Sequence, residues 1–237
     1  MLSRGQGKSI YSQLFILYQI CTLRRRFPVI ISANARASTQ LLTDIFRFVI
    51  EEDTPFSQDY PTLSLPFQLC NGAYRRRQIY KGKPTGIYHR ATDMGFADVD
   101  IEGQPKQAFI SARSITGGLR GMRVGAHRVD SVLLDDLLND DDITEETTNK
   151  LLGIINQSVM NLGGQGKKLS CIMTATPLAP DDLTQVLKKD KGWSCVEYPS
   201  VIQFGDIETD LWKQYWDLYD TESIEDKPHD ESDCFYK

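Results

Sequence analysis

The sequence predicts an α/β protein, a mostly parallel sheet flanked by helices. Three observations carry this. Short apolar runs of strand type alternate with stretches of helical periodicity along the chain. The chain has 237 residues, 41% hydrophobic and 25% charged, enough apolar mass for a proper core. The polar residues of greatest chemical interest stand at the ends of the predicted strands, where such sheets place ligands.

The elements follow in order. Residues 9–23 carry Ile10, Leu14, Leu17 and Cys21 at a spacing that puts them on one helical face. Pro28 opens the apolar run Val29-Ile30-Ile31, a strand. Residues 35–50 form a second amphipathic pattern, with Ala37, Leu41, Ile45, Phe48 and Val49 on one side. A polar, proline-marked stretch runs from Thr54 to Pro66. Ala108-Phe109-Ile110-Ser111-Ala112 is a strand candidate, and Val129 to Leu134 another that ends in two aspartates. Residues 142–147 read as a helix start, with a capping hydroxyl or carboxylate and acids in the first turn. That helix should run to about Leu162 and stop at Gly163-Gly164. Leu169 to Thr174 is strand-like, residues 181–187 a short helix, and residues 210–219 an aromatic-rich helix. From Asp220 the chain turns acidic and thinly apolar, the composition of a linker or solvated tail.

Composition narrows the function classes. Lys and Arg number 27 against 32 Asp and Glu, a net charge of -5. This excludes a simple basic nucleic-acid coat but not a local DNA-binding patch. No run of about 18 apolar residues occurs, so no membrane-spanning helix is expected. Five scattered cysteines (Cys21, Cys70, Cys171, Cys195 and Cys234), none in a CxxC pair, argue against a disulfide framework or zinc site and for a reducing cytoplasm.

Three motifs carry chemistry. The first is Ser3-Arg4-Gly5-Gln6-Gly7-Lys8-Ser9, ahead of the first helix. A glycine-rich bend can turn backbone N–H groups toward phosphate oxygens; Lys8 would reach the β and γ phosphates of ATP, and the Ser9 hydroxyl would ligate Mg2+. The full G-x-x-x-x-G-K-[ST] pattern fails at its first position, Leu2, and the same tripeptide also suits an exposed basic terminus. Only Met1 and Leu2 precede the motif, so the first core strand, which should anchor such a loop, is expected to be missing: either the chain is a fragment or its start is placed too late. The second motif is Val132-Leu133-Leu134-Asp135-Asp136, an apolar strand closing in a carboxylate pair. Asp135 is expected to hold the metal and Asp136 to activate the attacking water, although an Asp is one methylene shorter than the usual Glu. The third is Thr174-Ala175-Thr176-Pro177, whose hydroxyls could sense the γ phosphate or simply serve a strand-to-turn exit. Arg75-Arg76-Arg77, between Tyr74 and Tyr80, could contact DNA phosphates or be a solvated loop. His89, His127 and His229 show no ligand spacing, and the cysteines read as packing residues.

In this order and spacing the motifs resemble those of the large terminase subunit of tailed bacteriophages, the DNA-packaging motor. The resemblance is carried by SRGQGKS at 3–9, GGLRG at 117–121, VLLDDL at 132–137 and TATPLAPDDL at 174–183, with WKQYW at 212–216 and FYK at 235–237. It implies a P-loop NTPase fold of the terminase- and helicase-like type, with residues 1–219 as the ATPase domain, truncated at its start. Residues 220–237 would be the acidic linker toward an absent nuclease domain. It further implies ATP and Mg2+ as cofactors, and Gly5, Gln6, Gly7, Lys8, Ser9, Thr174 and Thr176 as nucleotide contacts. Ser9 and Asp135 would serve the metal, and Asp136 and the candidate arginine finger Arg4 the chemistry. Arg120 matches a family arginine of less defined role, packing or DNA contact. Implied partners are double-stranded DNA, a portal protein, a small terminase subunit and further copies in a ring, with work done in the bacterial host cytoplasm and no membrane. Two other readings share these residues: a non-catalytic truncated prophage remnant, and a helicase-like ATPase that separates strands.

Overall fold

The computed structural model describes residues 7–70, 79–80, 82–97, 107–138, 143–164, 166–198 and 210–224. The chain parts into two compact units, Met1–Tyr198 and Pro199–Lys237. In the first, the elements in chain order are α1 (Lys8–Cys21), β1 (Pro28–Ser32), α2 (Ala35–Ile50), α3 (Pro55–Asp59) and α4 (Pro61–Gln68). Next come β2 (Ile79–Tyr80), β3 (Lys83–Pro84), β4 (Tyr88–His89), β5 (Asp93–Gly95), β6 (Phe109–Ser114), β7 (Arg123–Val124), β8 (His127–Arg128) and β9 (Ser131–Asp135). The unit ends with α5 (Glu145–Ile154), which runs on as a π-helical turn over Ile155–Val159, then β10 (Ser170–Thr174) and α6 (Leu183–Lys189). The second unit contributes α7 (Asp210–Ile224), which continues past the expected helix end at Tyr219.

The main sheet has six strands in the order β10-β9-β1-β6-β5-β4. The first four run parallel, and β5 and β4 are added antiparallel at the far edge. The fold class is therefore α/β with a mostly parallel sheet. Side chains alternate between faces with period two, and the alternation sorts the core. Ile30, Leu133, Ile172 and Ala112 point to one side, where they meet α1, α2 and α4. Val29, Ile31, Val132, Leu134, Cys171 and Met173 point to the other, toward α5 and α6. Ile30, Ile31 and Leu134 are wholly buried, each such side chain stabilising the fold by about 2 kcal/mol. The central strands β1 and β9 are buried throughout, as continuous apolar runs in parallel sheets are, whereas the outer strand β10 is half-buried at all five positions.

Side-chain hydrogen bonds fix the connections. The Asp130 carboxylate accepts from the backbone N–H groups of Arg26 and Phe27 at 2.7 and 2.9 Å, tying the entry of β1 to that of β9. Asn34 caps α2, accepting from the Ala37 N–H, and Thr144 caps α5, accepting from that of Thr147. At the antiparallel edge Asp93 accepts from Thr92, Ser111 and Arg113.

One expectation is corrected, and two features go beyond the sequence reading. On α1, Leu17 is buried, but Ile10 and Leu14 are 61% and 44% exposed; the packed face is Lys8, Ser12, Ile16, Gln19 and Ile20. The helix is apolar on nearly every side, so hydrophobic spacing could not single out the face that packs. The stretch from Thr54 to Pro66 holds two short helices, α3 and the start of α4, which meet at Tyr60. Pro55 and Pro61 stand at the starts of α3 and α4, where the missing N–H costs nothing, and Thr54 and Ser57 form a reciprocal capping box. The short strands β4 and β5 were not anticipated; Gly95 leaves room for the Tyr88 ring to lie across it. Among the described residues, no helix is long and apolar enough to cross a membrane.

Candidate functional site

The site forms at the carboxyl ends of the parallel strands, and sheet register builds it. Thr174 of β10 lies beside Asp135 of β9, Asp135 beside Ser32 of β1, and Ser32 beside Ser114 of β6. All four stand two residues beyond the apolar rung Ile172, Leu133, Ile30 and Ala112, so they share the face turned toward α1 and α2. On each strand the apolar residue of that rung is followed, at the last inward position, by a polar one.

Helix α1 supplies the opposing wall. Its N-cap, Gly7, adopts φ 73°, the left-handed conformation glycine takes without strain. Lys8 follows as the first helical residue and is 7% exposed. Its ammonium donates to the Thr176 hydroxyl and stands 3.6 Å from Asp136 Oδ1. One helical turn on, the buried Ser12 points the same way. The Ser12 hydroxyl donates to Thr174 Oγ1 at 3.3 Å, and the Thr174 hydroxyl donates to Asp135 Oδ1 at 2.8 Å. A relay of two hydroxyls therefore fixes one oxygen of a buried carboxylate.

The aspartate pair divides in two. Asp135 is 7% exposed, and burial, reinforced by the neighbouring Asp136 charge, raises its carboxyl above the ordinary range. The Thr174 hydrogen bond and the Lys8 charge oppose that rise without cancelling it. Asp136 lies just past the strand, its side chain 49% exposed, with φ 38° and its N–H donating to the Thr174 carbonyl at 3.0 Å. This left-handed conformation, tolerated by Asp at modest cost, turns its carboxylate toward Lys8. Leu137, Leu138, Met173, Ala175 and Leu178 form an apolar hollow beside Asp136 and Thr176.

Of the residues expected from sequence, the structure brings together Lys8, Asp135, Asp136, Thr174 and Thr176, with Gly7 at the bend. Ser9 lies half-buried in the first turn of α1. Arg4, Gly5 and Gln6 lie outside the described residues, as does the Arg75-Arg76-Arg77 patch. Arg120 is exposed on the loop after β6, while its neighbour Leu119 is anchored in the core. His89 stacks on Phe46 with ring centres 3.8 Å apart, and burial lowers its pKa. Burial pushes Cys21 and Cys171 up to about 12, so neither is a nucleophile at neutral pH. Ser12 and Ser32 were missed. The signal for Ser12 was its place four residues after Lys8; nothing local marks Ser32.

The donors gathered here are a lysine ammonium, two carboxylates and several hydroxyls. One or two carboxylates, with oxygen ligands from phosphate and water, suit a hard divalent cation such as Mg2+, and a cation would relieve the buried charge of Asp135. An ammonium beside the pair suits an anion that bridges it to the cation. Among the described residues, no three His, Cys, Asp or Glu side chains cluster to hold a metal by themselves. Comparison with known protein families and with curated proteins gives no match to this chain.

Proposed function

We propose that this chain is an ATPase module of the P-loop type, working with Mg2+ in a terminase-like motor that moves duplex DNA. The observation that carries the reading is the meeting of Lys8, from the first turn of α1, with Asp136, Thr176 and the Asp135–Thr174 pair at the carboxyl edge of a parallel sheet. The order of the motifs along the chain supports it.

In this reading Lys8 exchanges its bond to Thr176 for the β and γ phosphate oxygens of ATP. Asp135, held by Thr174 and Ser12, would with Ser9 hold Mg2+, which when bound would supply charge neutralisation at the phosphate oxygens. Asp136, solvent-accessible and no longer paired with Lys8, accepts the proton of the attacking water as the new oxygen–phosphorus bond forms and the β–γ bridging bond breaks. Thr176, released by Lys8, is free to report the γ phosphate to the strand end. Arg4 is the arginine expected to neutralise charge on the transferred phosphoryl. Portal protein, small terminase subunit, ring assembly and action in the bacterial cytoplasm belong to the same reading.

The test is ATP hydrolysis by the chain and by Lys8→Ala, with and without duplex DNA. Loss on the order of a hundredfold or more is expected in the variant, and undiminished hydrolysis would overturn the assignment. Absence of ATP binding by the parent chain would favour the non-catalytic reading, and DNA strand separation the helicase-like one.

A further inference from the structure

We propose that Ser32 is a positioning residue of this site, holding a water of the cation's hydration shell beside Asp135; the inference rests on the nucleotide-site reading above. Ser32 ends β1 and is 1% exposed. Its carbonyl accepts from the Ile115 N–H at 2.9 Å, but its hydroxyl has no hydrogen-bond partner among the described residues. A buried hydroxyl left in this state is costly and rare in folded proteins.

Packing alone does not account for it. Ala112, one rung lower on the same face, is an alanine filling an equivalent inward position at no such cost. The other buried side-chain atoms without partners among the described residues, Gln19 Oε1 and Ser64 Oγ, sit on helices α1 and α4 rather than in the strand-end row. Among the described residues, Ser32 alone combines an orphaned hydroxyl with direct register to the Asp135 carboxylate.

The register sets what the hydroxyl can do. Neighbouring strands lie about 4.8 Å apart, so two side chains of one rung that do not bond directly can share a single water. Mg2+ gives up its waters reluctantly and typically meets protein through one or two carboxylates and a retained shell. In the row Thr174–Asp135–Ser32, Thr174 already spends its proton on Asp135 Oδ1. Ser32 is the remaining hydroxyl adjacent to that carboxylate in the sheet, and the shell water is the partner its buried oxygen lacks.

The test uses the full chain, Mn2+ as the probe and electron paramagnetic resonance to follow its binding with ATP. Ser32→Ala should weaken Mn2+ binding roughly three- to tenfold, the loss of one ordinary hydrogen bond. ATP binding in chelator should be unchanged, and the ligand-free melting temperature unchanged or raised. Ser32→Thr, which keeps the hydroxyl, should retain Mn2+ affinity. Equal Mn2+ affinity in Ser32→Ala overturns the inference while leaving the nucleotide reading intact. Parallel losses of metal-free ATP binding or of ligand-free stability assign Ser32 to the fold and also overturn it. If Ser32→Ala does not fold, Ser32→Cys, with similar volume and a weak donor, should show the same selective loss, and parent-like affinity there is equally fatal. A parent chain that binds neither ATP nor Mn2+ defeats the nucleotide reading itself, and this inference with it.

Discussion

On the proposed reading, Asp135 is the residue at which folding and function pull apart. Its charge is buried, and burial together with Asp136 raises its carboxyl above the ordinary range. A carboxyl raised on folding stabilises the fold below its unfolded pKa, and that contribution is lost as pH rises through the folded value. Above that folded value the ionised group is therefore a cost to the ligand-free fold. Asp135→Asn removes the charge and keeps an oxygen for the Thr174 hydroxyl. It should melt at a higher temperature than the parent near pH 7 without ligand, and on the proposed reading ATP hydrolysis should fall on the order of a hundredfold or more. Thermal unfolding and a phosphate-release assay read the two effects, and a lower ligand-free melting temperature would refute the account of the buried charge.

At the scale of elements, α6 depends on one side chain. Asp182 caps it, accepting from the N–H groups of Thr184 and Gln185 and from the Thr184 hydroxyl. Its other oxygen accepts from the N–H groups of Leu178 and Ala179, in the turn that follows Thr176. Burial works to raise this carboxyl, but the hydrogen bonds outweigh it and hold the group below the ordinary range. Asp182 thereby fastens the exit of β10, which carries Thr174 and Thr176, to the helix behind it. Asp182→Ala should cost about 2–4 kcal/mol in denaturant unfolding, and a change below about 0.5 kcal/mol would show that the turn holds without it. The element also shows what was readable locally. The run Thr-Pro-Leu-Ala-Pro-Asp-Asp-Leu announces a turn and a helix start, whereas the choice of Asp182 over Asp181 as the cap depends on backbone geometry.

For the molecule as a whole, the signs of the carboxylate shifts combine into a pH profile. Asp93 lies below the ordinary range: burial pushes it up, but hydrogen bonds from Ser111, Thr92 and Arg113, with the Arg113 charge, push it further down. Asp93 and Asp182 each add stability that is complete above the unfolded carboxylate pKa of about 3.9 and lost as pH falls through their lower folded values. Asp135 acts in the opposite sense. The ligand-free protein should be most stable at mildly acidic pH and lose stability steeply below about pH 4. Unfolding free energies from pH 7 to pH 3 give the profile, and Asp93→Asn with Asp182→Asn should flatten its acid limb. A profile that rises steadily toward pH 3 would contradict this balance.

The alternation of apolar runs and helical periods by itself determined the α/β class and the parallel strands, because a strand buried on both faces must be apolar along its length. It also singled out Asp135, Asp136, Thr174 and Thr176, since polar side chains stand out where an apolar strand ends, and Lys8, which follows a glycine-rich bend ahead of the first helix. Helix orientation and long-range pairing were decided only by tertiary structure. Ile10 and Leu14 were as good a face for α1 as Ser12 and Ile16 until the sheet fixed which side met Thr174. Ser32 carries no local mark; it acquires meaning because hydrogen bonding between distant strands sets it beside Asp135, and register belongs to the assembled sheet rather than to any one segment.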